Sequence, residues 1–383
     1  MIRVGETVSR RSDRSSGRPQ ASLQGPSVSR RVPAELAPQD GLASGRGWAF
    51  AIVLSALALG AAASDALAQS KTGTTFGQFL LIEPGARMAG MGNTGAAFYD
   101  GLEAAYYNPA AIAAAKGNQF QFTHSAWFAD IDYNYAAAAL HFSDIGSFWA
   151  SATVLGSGDI GVRTVDQPLG TGELYSVTDF ALGIGYGTEV AERFALGIQL
   201  NMAQETIWNS TARTLVLNAG TLYRSSPNGL QIGASLSNFG TTAAFDGRDL
   251  RITYDQDPDR QGDNGTLPGE KFVDAYDVPV MFRVGVALPR RLNQETQLML
   301  AVDAFHAADI DESVSVGSEV RFKETLSVRA GWQNLFLSDT EVGPTLGAGL
   351  RGHLDTFLYR FDYAWGDFGR LGDAHRFTLG VEF

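Results

Sequence analysis

From about residue 118 onward the chain alternates large apolar residues with small or polar ones. In "RFALGIQLNM", Phe194, Leu196, Ile198, Leu200 and Met202 share one side, and Ala195, Gly197, Gln199 and Asn201 the other. "VMFRVGVAL" sets Val280, Phe282, Val284, Val286 and Leu288 against Met281, Arg283, Gly285 and Ala287. "LQIGASLSNF" and "DFALGIGYG" repeat the pattern. Successive strand residues point to opposite faces, so each segment reads as a strand with one apolar face. Fourteen such segments are predicted, near 118–127, 131–142, 147–155, 174–187, 193–206, 211–224, 229–238, 279–289, 295–306, 312–322, 325–333, 342–352, 355–365 and 375–383.

The connections give a second, independent signal. Alternate ones are short, as in "SDIGS", "RSSPNG", "KET" and "HLD", while 156–173 and 239–278 are long. Short turns at one end and long loops at the other are the mark of a transmembrane antiparallel β-barrel. Charge placement agrees. Arg283, Asp303, Glu319, Arg321, Arg360, Asp362, Arg376 and Glu382 all fall in the phase opposite the large apolar residues. A soluble sandwich buries its apolar face, whereas a wide barrel turns that face to lipid and the polar one to the lumen. Fourteen strands are also many for one sandwich. Tyr186, Tyr223, Phe322, Tyr363 and Trp365 near strand ends suit interfacial girdles.

Composition adds an export signal and removes some functions. Residues 1–46 are rich in Arg, Ser, Pro and Gly and lack apolar periodicity. Arg46 then leads into "GWAFAIVLSALALGAAAS", and "ALA" ends at Ala68. A positive residue, an apolar core and a small-x-small end predict a secretory signal removed after Ala68. The apolar core, Trp48 to Ala63, is short of the ~20 residues of a spanning helix. The predicted domains are therefore a leader and signal at 1–68, an N-terminal segment at 69–117 and a barrel at 118–383. The whole chain carries a net charge of −12. Removing a leader with eight arginines and five acids makes the remainder −15, a poor nucleic-acid binder. There is no cysteine, so neither disulfides nor thiolate metal sites arise.

Between the signal and the first strand lies "GARMAGMGNTGAAFYDGLEAAYYNPAAIAAAKG". Its Gly90, Gly92 and Gly95 spell a literal G-x-G-x-x-G, but no βαβ unit follows to make a dinucleotide site. Tight turns and close backbone approach are the better reading of these glycines. Asn108 suits an N-cap and Pro109 the first helical residue, with "AAIAAA" as a short helix packed in a crowded lumen.

"GARMAGMGNTGAAFYDGLEAAYYNPAAIA" resembles the N-terminal signature of the PorV/PorQ family, a branch of the FadL-like fourteen-stranded outer-membrane barrels. "FTHSAWFADIDYNYAA" resembles that family's first hairpin and "DYAWGDFGRLGDAHRFTLGVEF" its last. The resemblance implies that 69–117 is a hatch plugging the barrel, with Gly85, Arg87, Gly90, Gly92, Asn108, Pro109 and Ala110 as its motif. The terminal aromatic, Phe383, resembles the signal read by the barrel assembly machinery. The implied location is the cell outer membrane, in contact with its lipid.

Two roles follow from the resemblance. The first is a type IX secretion accessory that docks exported cargo and secretion components on its extracellular loops. The alternative is a FadL-like transporter of long-chain fatty acids or other hydrophobic small molecules. In that case Arg283 or Arg360 offers a lumenal contact for a carboxylate headgroup, although such an arginine more commonly pairs with a neighbouring acid. Catalysis, cofactors and metals are not expected. There is no G-x-S-x-G or H-E-x-x-H, and His124, His141, His306, His353 and His375 lack ligand spacing. The acid-rich "DQDPDRQGD" in the 239–278 loop lacks the Gly and terminal Glu of a calcium loop and reads as solvated surface.

Overall fold

A computed structural model describes residues 75–128, 131–257, 259, 262, 266–337 and 340–383. The predicted leader, signal and cleavage point lie outside the described residues.

Fourteen antiparallel strands form one closed ring. They are β1 Gln119–Ala126, β2 Asp132–Phe142, β3 Gly146–Gly156, β4 Val177–Ala191, β5 Phe194–Ile207, β6 Ser210–Arg224, β7 Gln231–Gly240, β8 Met281–Arg291, β9 Thr296–Ala307, β10 Ile310–Phe322, β11 Leu326–Leu335, β12 Pro344–Leu354, β13 Phe357–Asp367 and β14 Asp373–Glu382. Each pairs with its sequence neighbour, and β1 pairs with β14 from Gln119↔Glu382 to Ala126↔His375. Closure removes every sheet edge, which a bilayer requires because lipid offers no partner for a bare N–H or C=O. The final residue finishes this seam: Phe383 and Asn118 exchange backbone hydrogen bonds at 3.0 and 2.9 Å.

Burial runs opposite to that of a soluble sheet. On β5, Leu196, Ile198 and Leu200 are exposed, while Ala195, Gln199 and Asn201 are buried. Arg283, Asp303, Glu319, Asp362 and Arg376, placed on the polar phase by sequence, are all buried within the ring. Among the described residues no helix is long and apolar enough to cross a membrane; the large apolar residues of the strands are exposed on the outer face of the ring.

Two segments depart from the sequence reading. Leu174–Tyr175 does not open β4 but pairs with Ile160–Gly161 in a small hairpin above the barrel. The long loop after β7 carries a second hairpin, Arg251–Tyr254 with Leu267–Glu270. Both are too short and too close to Gly, Pro and Asp to give a clear alternation.

Residues 76–117 lie inside the ring. The short helix Ala86–Ala89 packs on β12, β13 and β14, and the 3-10 helix Pro109–Ala114 packs on β3 to β6. The plug thus touches opposite parts of the wall. Further up, Phe76, Phe79 and Leu80 fill the long-loop end of the lumen against Ala203, Val216 and Val278.

The plugged lumen and the outer cleft as candidate functional site

The helix at Pro109 starts where its sequence says it should. Asn108 is extended, its Oδ1 accepts the Ala110 N–H at 3.0 Å, and Pro109 takes the first turn. Proline is favoured there because its missing N–H would have no helical partner. The Asn108 amide also donates to the carbonyls of Ala96 at 2.7 Å and Thr221 at 2.9 Å. One fully buried side chain therefore caps a helix, ties two parts of the plug together and fixes both to β6.

Two glycines of the G-x-G-x-x-G, Gly90 and Gly92, sit where backbone meets backbone, and the third, Gly95, lies against the Tyr107 ring. A Cβ on Gly90 would stand 2.8 Å from the Gly347 Cα of β12, and one on Gly92 2.7 Å from the Val316 carbonyl of β10. Gly92 also has φ +68°, a conformation that side chains disfavour. Its N–H donates to the Thr345 hydroxyl at 2.9 Å. Gly95 and Ala96 donate their N–H groups to Asp303 Oδ2 at 2.8 and 2.9 Å. The wall answers with glycines of its own: Gly197 faces Pro109, Gly220 faces Asn108 and Gly233 faces Ala96.

Charge joins plug to wall most strongly. Arg87 reaches Glu319 of β10 through Nε and Nη2 at 2.8 and 3.1 Å, Asp100 at 2.8 Å and Glu103 at 2.9 Å. Glu319 also receives Arg329 and Arg321, each at 2.7 Å. Arg329 continues to Asp362 at 2.7 Å, and Arg360 bridges Glu103 at 2.8 Å and Asp362 at 3.2 Å. Buried charges are costly unless paired, and this network pairs the plug's Arg87 with Glu319 of β10 and the plug's Glu103 with Arg360 of β13, with Arg329 of β11 between Glu319 and Asp362.

Burial by itself would raise the Glu103 carboxyl, but the guanidiniums of Arg360, Arg87, Arg329 and Arg351 outweigh it and lower the group to about 2. A carboxylate lowered by folding stabilises the folded state above its unfolded value of about 4.3, and that contribution is lost as pH falls toward 2. The melting temperature is expected to hold from about pH 7 to about pH 5 and to fall below that. Glu103→Gln should flatten part of this acid limb; an unchanged limb would show that Glu103 carries none of it.

Arg283 and Arg360, the two lumenal arginines offered as ligand contacts if not paired with an acid, are both engaged by carboxylates of the plug. Arg283 pairs with Glu83 and lies over the rings of Tyr107 at 5.1 Å and Phe305 at 5.5 Å. Arg360 holds Glu103 and Asp362. As placed, they pin the hatch. Sequence reading singled out neither Arg329 nor the acids Glu83, Asp100 and Glu103. For Arg329 the signal was present, since it lies in the polar phase of its strand. The three acids sit in an irregular segment with no phase to read. The histidines make local contacts instead of converging: His124 with Asn134, His141 with Ser147 and His375 with Tyr363.

A cleft of about 790 Å³ opens at the long-loop end. Its walls are Tyr175 of the upper hairpin, Ile207 and Trp208 at the β5–β6 turn, and Phe245, Leu250 and Val273 of the long loop. Tyr175 and Trp208 stand 6.2 Å apart between ring centroids. Asp249 at its edge is held by the backbone and side-chain N–H groups of Asn209 at 3.0 and 3.1 Å. Phe245 also packs on the cluster of Phe76, Phe79 and Leu80, so the cleft rests directly on the plug's upper segment.

No family model matches the sequence, and no curated protein matches it. Solved structures do match. The toluene transporter TbuX of Ralstonia pickettii is 12% identical, with 78% of this chain and 96% of that one covered and a TM-score of 0.50. The toluene transporter TodX of Pseudomonas putida is 14% identical over 78% and 97%, with a TM-score of 0.49. A FadL homologue of Pseudomonas aeruginosa is 12% identical over 78% and 98%, with a TM-score of 0.47. At such identities the likeness concerns the fold alone, a closed fourteen-stranded antiparallel β-barrel.

Proposed function

We propose that the protein sits in the outer membrane and passes a hydrophobic small molecule inward. The observation that carries this reading is the apolar cleft of about 790 Å³ at the mouth of a plugged barrel. Pockets of this size bury most of a small ligand's surface, and burial of apolar area drives its capture. The short turns face the periplasm and the long loops the exterior, which puts the cleft where an external ligand arrives. The structures similar in fold include toluene transporters, and a small aromatic or aliphatic molecule suits walls of Trp, Tyr, Phe, Ile and Leu. Phe76, Phe79 and Leu80 then occupy the next apolar space along the route.

The test is binding of toluene and of a long-chain fatty acid to the purified barrel, followed by tryptophan fluorescence and calorimetry. Trp208→Ala combined with Phe245→Ala is expected to weaken binding about tenfold, since aromatic anchors carry much of the energy of such sites. Unaltered affinity for both ligands would rule out the cleft as the entry site.

The cargo-docking role rests on the resemblance of residues 85–113 and of the two end hairpins. It would act through the outward hairpin Arg251–Tyr254 with Leu267–Glu270, where Ile252 and Tyr254 are exposed. Capture of secretion components that survives shortening of 246–272 would exclude that surface.

A further inference from the structure

Three hydrogen bonds grip the start of the plug at the long-loop end, and each ends on an acidic residue. The Phe76 N–H donates to the Asp277 backbone carbonyl at 2.8 Å, the Thr75 hydroxyl to Asp309 Oδ2 at 2.9 Å and the Gly77 N–H to Glu205 Oε1 at 2.7 Å. Asp277 and Asp309 belong to connections, the long loop and the β9–β10 turn. Glu205 belongs to β5, and its register partner on β4 is another acid, Asp179.

Both acids share the inward phase of the buried Ala181 and Ala203. Residues directly opposite on an antiparallel pair hold their Cβ atoms about 4.5–5.5 Å apart. Each side chain is half-buried. Leu155 of β3 stands opposite Asp179, and Ala212 of β6 opposite Glu205. Leu155, Ala181, Ala203 and Ala212 all pack in one cluster with Phe76, Phe79 and Leu80, so apolar groups wall the pair. Among the described residues no cation acts on either acid, and the other charged groups at the segment, Asp277 and Asp309, are acids too. The pair stands at the outer rim of the wall. There β4 and β5, 15 and 14 residues long, outrun the about 9–11 of a spanning strand, and Thr178, Gln204 and Thr206 face outward.

We propose that Asp179 and Glu205 form a proton-sharing pair that latches the start of the plug, and that loss of the shared proton loosens Phe76, Phe79 and Leu80 from the outer lumen. Two carboxylates this close repel when both are ionised, and apolar walls screen that repulsion poorly. With one proton between them, Asp179 donates to Glu205, which keeps its charge and its bond to the Gly77 N–H. The seated plug shields the pair from water, whereas release admits water that screens the repulsion. The proton therefore binds the seated state more tightly, and the seat weakens as pH rises. Glu103 acts with the opposite sign and in a more acid range, so the two effects are separable. The latch concerns the plug alone and stands whether or not the cleft admits a hydrophobic ligand.

Hydrogen exchange of the full chain in detergent, read by mass spectrometry and corrected for the intrinsic rate at each pH, measures the seat. From about pH 6 to about pH 9, residues 75–82 are expected to lose about tenfold in protection, the equivalent of one pKa unit of linkage. Residues 108–115 should keep theirs. Asp179→Asn leaves a single charge on Glu205 and should hold the segment throughout this range. Glu205→Gln keeps the shape but weakens the bond to Gly77, so the segment should be loose and insensitive to pH. Asp309→Asn, which also touches the segment, should lower protection yet keep the full pH response. Protection of 75–82 that is flat with pH in the unsubstituted chain, or a slope that persists in either Asp179→Asn or Glu205→Gln, would overturn the proposal.

Discussion

Glu319→Gln is expected to lower the unfolding free energy by about 3–5 kcal/mol, the range for removing one partner from a buried ion pair. Glu319 accepts from Arg87, Arg321 and Arg329, and the side chains of Arg87 and Arg329 are 1% and 3% exposed. The amide keeps the shape but removes the negative charge, leaving buried guanidiniums facing one another. The contrast is Glu295→Gln, whose partner Lys323 lies 3.7 Å away with both side chains more than half exposed. That change should cost about 0–1 kcal/mol, because solvent screens the pair. Denaturant unfolding in detergent micelles, followed by tryptophan fluorescence, measures both. If Glu319→Gln unfolds within the error of Glu295→Gln, the network does not hold the plug in place.

The second large effect is steric. An alanine Cβ at Gly233 would lie 1.9 Å from the Ala96 carbonyl oxygen, and at Gly197 2.3 Å from the Pro109 carbonyl carbon. Both obstacles are plug backbone, which cannot turn aside as a side-chain tip can. Overpacking of this kind costs about 1–3 kcal/mol or more. The wall ladder loses no hydrogen bond, so the strain should appear as a loosened plug in an intact barrel. Limited trypsin digestion is expected to cut Gly233→Ala and Gly197→Ala at Arg87 or Lys116 faster than the unsubstituted chain. Gly156→Ala, with nothing within 4 Å of its new Cβ, should digest at the unsubstituted rate. Equal digestion of all these proteins would mean that the plug yields without leaving its seat.

These two experiments also mark the limit of what could be read from the sequence. The inward phase of Gly197, Gly233 and Glu319 was legible, because strand alternation is a local property with a period of two residues. What each meets across the lumen was not. Gly233 lies against Ala96 and Glu319 against Arg87, separations of more than a hundred residues. Arg283 and Arg360 show the same limit. Sequence placed both inside a barrel, yet only the packed plug shows that Glu83 and Glu103 occupy their guanidiniums. The cap at Asn108 was readable because a cap and its helix are adjacent in the chain.

By itself, then, the sequence determined the strands, their inward and outward faces, the two kinds of connection and the start of the plug's helix. Each of these follows from neighbours within a few residues. Tertiary structure alone decided which charges pair, which glycines meet and where the outer cleft forms. Trp208, Phe245 and Val273 reach that cleft from two separate connections. Barrel closure and the fit of the plug set those meetings, and neither leaves a periodic trace along the chain.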